Sequence, residues 1–247
     1  MRTSRVYLPI EQTQNLDNFR IEGSKAHYIK NVLRLKVGGL LQFFIPAGLE
    51  FQATIIEIKK HEIILGQIQA LTQKQNPSSL NTTLIQGISS SDRMDYSIQK
   101  AAELGCQKLI PVMTDFCSQK IAVHKRQKKH QHWQSVSISA CEQSGRIDLM
   151  QVTQIQTLES AIETIPNAIY LEPNAGLYLN QIPESYHQQH TLIIGPEGGF
   201  SPTEIERFKT NQYLGIQLGQ RILRTETVAP VIMGAMHALY GDFRSGD

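Results

Sequence analysis

The residues best placed for chemistry in this sequence lie in two glycine-containing turns, each of which follows a short predicted strand. The first turn, 195–201, contains three glycines and follows the apolar residues 192–194. The second turn contains Gly219 and follows the short predicted strand Ile216–Leu218. Ligands of α/β sheets bind beyond the carboxyl ends of strands, where glycine lets the backbone approach them. The two turns therefore predict one shared pocket, the alternative being tight turns without a ligand.

Three charged residues, Arg221, Arg224 and Glu226, follow the second turn and stand directly before an apolar segment. Burying such groups without partners would cost roughly several kcal/mol each. Two interpretations therefore remain open. The three residues either pair with one another or face a ligand in the predicted pocket.

Cysteine and histidine chemistry is not indicated by the sequence. Its three cysteines form no C-x-x-C pair, and Cys141 has no histidine and acid partners nearby in sequence. We interpret Cys141 as a buried structural thiol rather than a nucleophile. His124, His130 and His132 lack neighbouring carboxylates or cysteines, so we expect no metal site.

Two basic surfaces are indicated. His27, Lys30, Asn31 and Arg34 fall on one side of a helix that is predicted to begin at Ser24 and to end at Gly38-Gly39. They form either a solvated face or, with Arg2, Arg5 and Lys25, a surface for phosphates. The same two interpretations apply to a second run, which comprises Lys120, Lys125, Arg126, Lys128 and Lys129.

The elements that must position these residues change character along the chain. Short alternating strands before residue 71 predict a small sheet or barrel, and the polar residues 72–80 predict a linker. From residue 81 onward strands alternate with helices, which predicts a mostly parallel α/β sheet. A capping box at Ser201 predicts a helix that begins there. The final helix, from about Glu226 to Tyr240, is apolar nearly all round and must therefore be buried in the fold or at an interface.

The composition of the 247-residue chain is typical of a folded protein, with 40% hydrophobic and 19% charged residues. No apolar run approaches the roughly 20 residues of a bilayer span, and the start lacks the apolar core of a signal peptide. We therefore expect a soluble, cytoplasmic protein. The net charge of +2 permits a nucleic-acid partner without requiring one.

Taken together, the motifs resemble those of the SPOUT methyltransferases, specifically the RsmE type. The resemblance rests first on Ile194–Gly199 and on Leu218–Thr227, and it extends over nearly the whole chain. A small departure is Val228, where many members run directly from threonine to alanine. The further matching positions are His27 with Val32-Leu33-Arg34, Gln99-Lys100 with Glu103-Leu104-Gly105, and Ala140–Arg146.

The resemblance implies an N-terminal PUA-like barrel at residues 1–71 and a methyltransferase domain with a deep trefoil knot at 81–247. It implies S-adenosylmethionine as cofactor, a homodimer, and small-subunit ribosomal RNA or the assembled subunit as substrate, without metal or membrane. The cofactor would lie against Leu171, Ile194, Gly195, Pro196, Glu197, Gly198, Gly199, Leu218, Gly219, Arg221, Ile222, Leu223 and Thr225. RNA would meet Arg5, Lys25, His27, Lys30, Arg34, Arg93, Lys100 and Arg146.

The implied reaction is methylation of a uridine at N3, which carries a proton and lies on the pairing edge. The base must therefore be unpaired or flipped out, and deprotonated. We expect Arg224 to stabilise the negative charge on the pyrimidine, and either Glu197, Glu226 or no dedicated group to accept the proton. Two alternatives remain: a non-catalytic RNA-binding protein of ribosome assembly, and a SPOUT enzyme for another target such as a transfer-RNA ribose 2′-hydroxyl.

Overall fold

The computed structural model describes residues 4–10, 18–71 and 77–244. Residues 72–76, which make up most of the predicted linker, lie outside this range, as does Arg2. By their contacts the residues form two compact units, each of which is described separately below.

The first unit comprises Met1–Gln75 together with Glu142–Leu149, so its chain is discontinuous. Its five-stranded sheet has the order β1-β3-β4-β5-β2, in which β1 runs parallel to β3 and the other pairs are antiparallel. Side chains such as Leu41, Phe43 and Ile55 fill its core. The strands are β1 (Ser4–Tyr7), β2 (Phe19–Glu22), β3 (Leu40–Phe44), β4 (Glu50–Ile58) and β5 (Glu62–Ala70).

The predicted helix of this unit is shorter than the sequence indicates. An α-helix, α1, covers only Gly23–His27 and continues as a π-helical turn over Tyr28–Val32. Glu22 rather than Ser24 occupies the N-cap position, and no side chain caps the helix. The chain leaves the helix before Gly38 because Arg34 adopts a left-handed conformation with φ +53°.

The second unit comprises Asn76–Cys141 and Met150–Asp247. Its eight-stranded sheet is parallel, with the order β11-β13-β10-β12-β6-β7-β8, and β9 also pairs with β7. The strands are β6 (Asn81–Gly87), β7 (Lys108–Met113), β8 (Gln151–Val152), β9 (Gln156–Thr157), β10 (Ile169–Leu171), β11 (Leu177–Tyr178), β12 (Gln189–Ile194) and β13 (Leu214–Gln217). The helices are α2 (Ser91–Glu103), α3 (Val123–Ser144), α4 (Leu158–Ile162), α5 (Pro202–Thr210) and α6 (Thr225–Tyr240), with 3-10 turns at Leu179–Gln181 and Glu184–Tyr186.

The predicted alternation of strands and helices in this unit is confirmed. The capping box forms as expected, since the Ser201 hydroxyl accepts from Glu204 N–H and the Glu204 carboxylate accepts from Ser201 N–H. Helix α2 begins after Ser90. Strand β12 lies between β10 and β6. Because β12 ends at Ile194, the turn that follows lies at the carboxyl edge of the sheet.

Helix α6 is buried on one face only. Ala229, Ile232 and Met236 are fully buried, whereas Val231 and Leu239 are 41% and 42% exposed. The described fold of one chain therefore leaves part of the apolar surface of this helix exposed to solvent. No helix in the parts of the chain that the structure describes is long and apolar enough to cross a membrane.

Candidate active site

A cavity of about 330 Å³ lies beyond the carboxyl ends of three neighbouring strands, β10, β12 and β13. The two predicted turns meet there, as the sequence indicates. All its lining residues belong to the second unit. Residues from the turns and strand ends that line it are Leu171, Ile194, Gly195, Pro196, Glu197, Gly199, Leu218, Gly219, Arg221, Ile222, Leu223, Arg224 and Thr225, joined by Arg93 from α2.

Glycine is required at two positions of this wall for conformational reasons. Gly199 has φ +71° and closes the first turn by donating its N–H to the Pro196 carbonyl at 3.0 Å. Gly219 has φ +77°, and a Cβ built on it would meet no atom within 4 Å. Gly219 lines the cavity, and a side chain at this position would project into open space.

Gly198 differs from the other predicted cofactor residues because it does not line the cavity. A Cβ at this position would lie 2.9 Å from Phe116 Cβ and 3.1 Å from the Phe116 carbonyl oxygen. Phe116 therefore packs against the turn at Gly198. The close approach of this neighbouring segment explains the glycine without a ligand.

A buried polar network that the sequence motifs do not indicate fixes the floor of the site. The Gln86 side-chain amide donates to Thr225 Oγ1 at 3.1 Å, and the Thr225 hydroxyl donates to the Gly195 carbonyl at 2.6 Å. Gln86 is fully buried at the end of β6. Its position directly after the buried residues Leu84 and Ile85 is the available signal, because buried amides need partners.

Arg93 joins two of the predicted catalytic carboxylates. Its guanidinium lies 3.0 Å from Glu197 Oε1 and 3.6 Å from Glu226 Oε2. The Ser90 N–H also donates to Glu197 Oε1, at 3.0 Å. Glu226 Oε2 is buried without a hydrogen bond in the described part of the chain, and Glu226 does not line the cavity. Of the two interpretations left open for the charges at 221–226, mutual pairing is therefore not observed among the described residues, and Glu226 pairs instead with Arg93 of α2.

These contacts make Glu197 a poor proton acceptor. Burial raises the pKa of its carboxyl group, but hydrogen bonds from Ser90 N–H, its own N–H and the Arg93 guanidinium outweigh burial. The pKa of Glu197 consequently lies below its usual value. A carboxylate held ionised in this way is suited to orienting Arg93 rather than to taking a proton near neutral pH.

Arg221 and Arg224 both line the cavity, and both are exposed. Neither forms an ion pair with any residue that the structure describes. The Arg224 carbonyl starts α6 by accepting from the Thr227 and Val228 N–H groups, which anchors its backbone while its side chain stays available. Unpaired guanidinium groups at a cavity can meet an anionic ligand or developing negative charge.

The residues predicted to bind RNA fall into two groups. His27, Lys30 and Arg34 are exposed, and no carboxylate of the described residues forms an ion pair with them. The other cations have partners. The ion pairs join Arg5 to Glu50, Lys25 to Glu142, Lys100 to Glu103, Arg146 to Asp148, and Arg93 to the carboxylates already described.

The cysteines behave as expected of structural thiols. Cys106, Cys117 and Cys141 are free and buried. Among residues 4–10, 18–71 and 77–244, no cluster of histidine, cysteine, aspartate and glutamate side chains is arranged to hold a metal ion.

Comparison with known proteins identifies the two parts of the chain. Residues 76–237 match the family model described as an RNA methyltransferase domain. Residues 21–67 match the model described as an RNA methyltransferase PUA domain. The predicted PUA-like and methyltransferase parts are thereby confirmed.

Individual relatives match over nearly their full lengths. The chain is 35% identical over 243 residues to ribosomal RNA small subunit methyltransferase E of Buchnera aphidicola subsp. Schizaphis graminum, covering 96% of this chain and 95% of that one. Similarity also extends to a crystal structure of ribosomal RNA small subunit methyltransferase E from Neisseria gonorrhoeae bound to S-adenosylmethionine. That structure has a TM-score of 0.85 and 31% identity, and the match covers 98% of this chain and 100% of that one. The chain therefore belongs to the family of ribosomal RNA small subunit methyltransferases E.

Proposed function

We propose that this chain methylates N3 of one uridine in small-subunit ribosomal RNA, with S-adenosylmethionine as methyl donor. The observation that carries the proposal is the cavity at the carboxyl edge of the parallel sheet, in which the two glycine turns and two unpaired arginines meet. A ribosomal RNA substrate implies that the protein acts in the cytoplasm.

The residues present fit S-adenosylmethionine. The cavity volume of about 330 Å³ lies within the range of small-molecule pockets. Gly195, Gly199 and Gly219 border the cavity with bare backbone, which can contact the adenine and methionine parts directly. We assign cofactor binding to the predicted residues that line the cavity, and we assign Gly198 to support of the turn. When bound, S-adenosylmethionine supplies an electrophilic methyl group.

Arg224 is the residue that we assign to the reacting base. A cation beside the pyrimidine favours the deprotonated form of N3 and stabilises the charge left on the oxygens. Arg221 adds a second positive charge to the same wall. Because Glu197 is held ionised by Arg93, and Glu226 lies outside the cavity lining, we infer that water accepts the N3 proton.

The first unit is assigned to RNA binding. His27, Lys30 and Arg34 are exposed side chains of this unit that form no ion pair with a described residue, and they suit phosphate contacts. Arg5, Lys25 and Arg146 have carboxylate partners, so we assign them to holding that surface together. Arg93 and Lys100, in the second unit, also have carboxylate partners.

The exposed apolar side of α6 supports assembly as a homodimer. A knot in the second unit stays a prediction.

The alternative of a non-catalytic RNA-binding protein is disfavoured by the open cavity. A chain that had lost its cofactor would be free to fill the space beside Gly219, yet a Cβ there meets nothing within 4 Å. Calorimetric titration with S-adenosylmethionine tests this alternative directly. Nucleoside analysis of ribosomal RNA from a deletion strain separates uridine N3 from a ribose 2′-hydroxyl as the target.

Comparing Arg224→Ala with a double variant of the first unit tests the separate roles that we assign to the two units. We expect the single-turnover rate at saturating RNA to fall about a hundredfold or more, because a transition-state contact is lost. The double variant Lys30→Ala/Arg34→Ala should instead require more RNA for half-saturation and show a flatter salt dependence. Both variants should bind S-adenosylmethionine as the wild type does.

The kinetic comparison uses small ribosomal subunits from a strain that lacks the modification. Full activity of Arg224→Ala, or the same kinetic signature for the two variants, would contradict the assigned roles. Absence of methylation by the wild-type protein on these subunits would contradict the proposed function itself.

A further inference from the structure

Phe116 is a half-exposed aromatic side chain next to the turn that contains Gly198. It follows the carboxyl end of β7 and keeps 49% of its surface exposed. This end of β7 lies at the same edge of the parallel sheet as the turn after β12. An exposed aromatic ring beside a ligand cavity offers a face on which a nucleobase can stack.

The turn that carries Phe116 is held on both sides. Asp115 N–H donates to Glu204 Oε1 at 2.9 Å, which ties the turn to the capping box of α5. Thr114 N–H donates to the buried Cys117 sulfur at 3.3 Å, and Cys117 N–H donates to the Thr114 carbonyl at 3.3 Å. The ring is therefore presented on a fixed backbone, which lowers the entropy cost of a contact.

The position of Phe116 relative to the cavity is set by Gly198. Phe116 packs so closely on Gly198 that a Cβ there would lie 2.9 Å from Phe116 Cβ. The two chain neighbours of Gly198, Glu197 and Gly199, both line the cavity. The ring thus flanks the wall of the proposed methyl-transfer site.

Exposed lysines follow Phe116 along the chain. Lys120, Lys125 and Lys128 are exposed, and none of them forms an ion pair with a described residue. The Arg126 guanidinium reaches Met113 Sδ at 3.5 Å, which places the first turns of α3 beside the end of β7. An exposed ring and lysines without ion pairs in the same segment are the two features with which proteins bind unpaired RNA.

We propose that Phe116 stacks on an unpaired nucleobase of the RNA substrate, next to the uridine that enters the cavity. The proposal rests on the proposed function, because it assumes an RNA substrate at this edge of the sheet. The lysines would hold the phosphates on either side of the stacked base. A second copy of this chain is a less suitable partner, because a two-fold contact centred on Phe116 would bring these lysines towards their own symmetry mates.

The test compares Phe116→Ala, Phe116→Leu and Phe116→Trp with the wild type on small subunits that lack the modification. A stacked base predicts about tenfold weaker binding of the subunit for the alanine and leucine variants. Tryptophan, which keeps a π face, should retain wild-type affinity, and its fluorescence should be quenched when RNA binds. Phe243→Ala, which removes another exposed phenylalanine (62% exposed), is the matched control and should leave RNA affinity unchanged.

Two independent measurements accompany the affinities. Titration with S-adenosylmethionine should give the same affinity for all variants, because Phe116 does not line the cavity. Sedimentation should give the same oligomeric state. If Phe116→Ala or Phe116→Leu binds subunits as tightly as the wild type, or if Phe116→Ala changes the oligomeric state instead, the stacking proposal is wrong. A wild-type protein that neither binds nor methylates the subunits would refute the proposed function together with this inference.

Discussion

Glycine serves two different purposes around the cavity, and the difference can be measured. Gly198 makes room for Phe116, whereas Gly219 combines a left-handed φ of +77° with open space. We expect Gly219→Val to abolish detectable S-adenosylmethionine binding, because the side chain would occupy the cavity. The left-handed backbone should also cost about 1–2 kcal/mol of folding stability. Calorimetry and urea unfolding measure the two effects.

A matched control separates strain from occupation of the cavity. Gly48 also has a left-handed φ, +69°, and open space around its Cβ position, but it lies in a turn of the first unit. Gly48→Val should lose similar stability and keep full cofactor affinity. Equal cofactor affinity in the two variants would show that Gly219 is not part of the cofactor site.

At the scale of elements, the pairing of β6 with β12 buries a histidine that cannot easily be charged. His190 is 3% exposed, and its Nε2 lies 2.9 Å from the hydroxyl of Thr82, its register partner. Burial, assisted by repulsion from His237, lowers the pKa of His190 from 6.5 to about 4. The folded protein therefore excludes a proton that the unfolded chain binds between these values.

The free energy of unfolding should consequently fall as the pH falls from about 6.5 to about 4, by up to about 3 kcal/mol from this group. Below that range His190 should contribute no further loss, because both states are then protonated. Urea unfolding of the wild type and of His190→Gln over this range isolates the effect. A stability difference between the two proteins that does not change with pH would contradict the lowered pKa of His190.

Local signals explain which elements could be predicted from the sequence. The capping box at Ser201 and the apolar strands of the second unit are encoded by neighbouring residues, and both form as predicted. The π-helical turn at Tyr28–Val32 has no such local code, and the chain leaves it through a left-handed Arg34. The motif turns were located correctly, but the Arg93 ion pairs and the Gln86 network join residues over 100 positions apart. Spacing in one sequence does not contain such long-range pairings.

At the scale of the whole molecule, the exposed side of α6 predicts self-association. Val231 and Leu239 are each about two-fifths exposed on a helix whose other face is buried. We expect a dimer at micromolar concentration, and we expect Val231→Glu/Leu239→Glu to sediment as a monomer, because the interface would bury two carboxylates. Val37→Glu, at a site that is 61% exposed in the first unit, should remain dimeric. A monomeric wild-type protein would exclude this interface.

The discontinuous first unit has a consequence for the order in which the protein forms. Glu142 accepts hydrogen bonds from Tyr7 N–H at 2.7 Å and from Lys25 Nζ at 2.9 Å, and Arg5 donates to the Arg146 carbonyl at 2.7 Å. These partners are synthesised long after the strands that they complete. Because chains emerge from the ribosome N-terminus first, the earliest part of this protein must wait for α3 before its own contacts are complete. Synthesis order and folding order are therefore interleaved, and a gene fragment ending at the linker would encode an unfinished first unit.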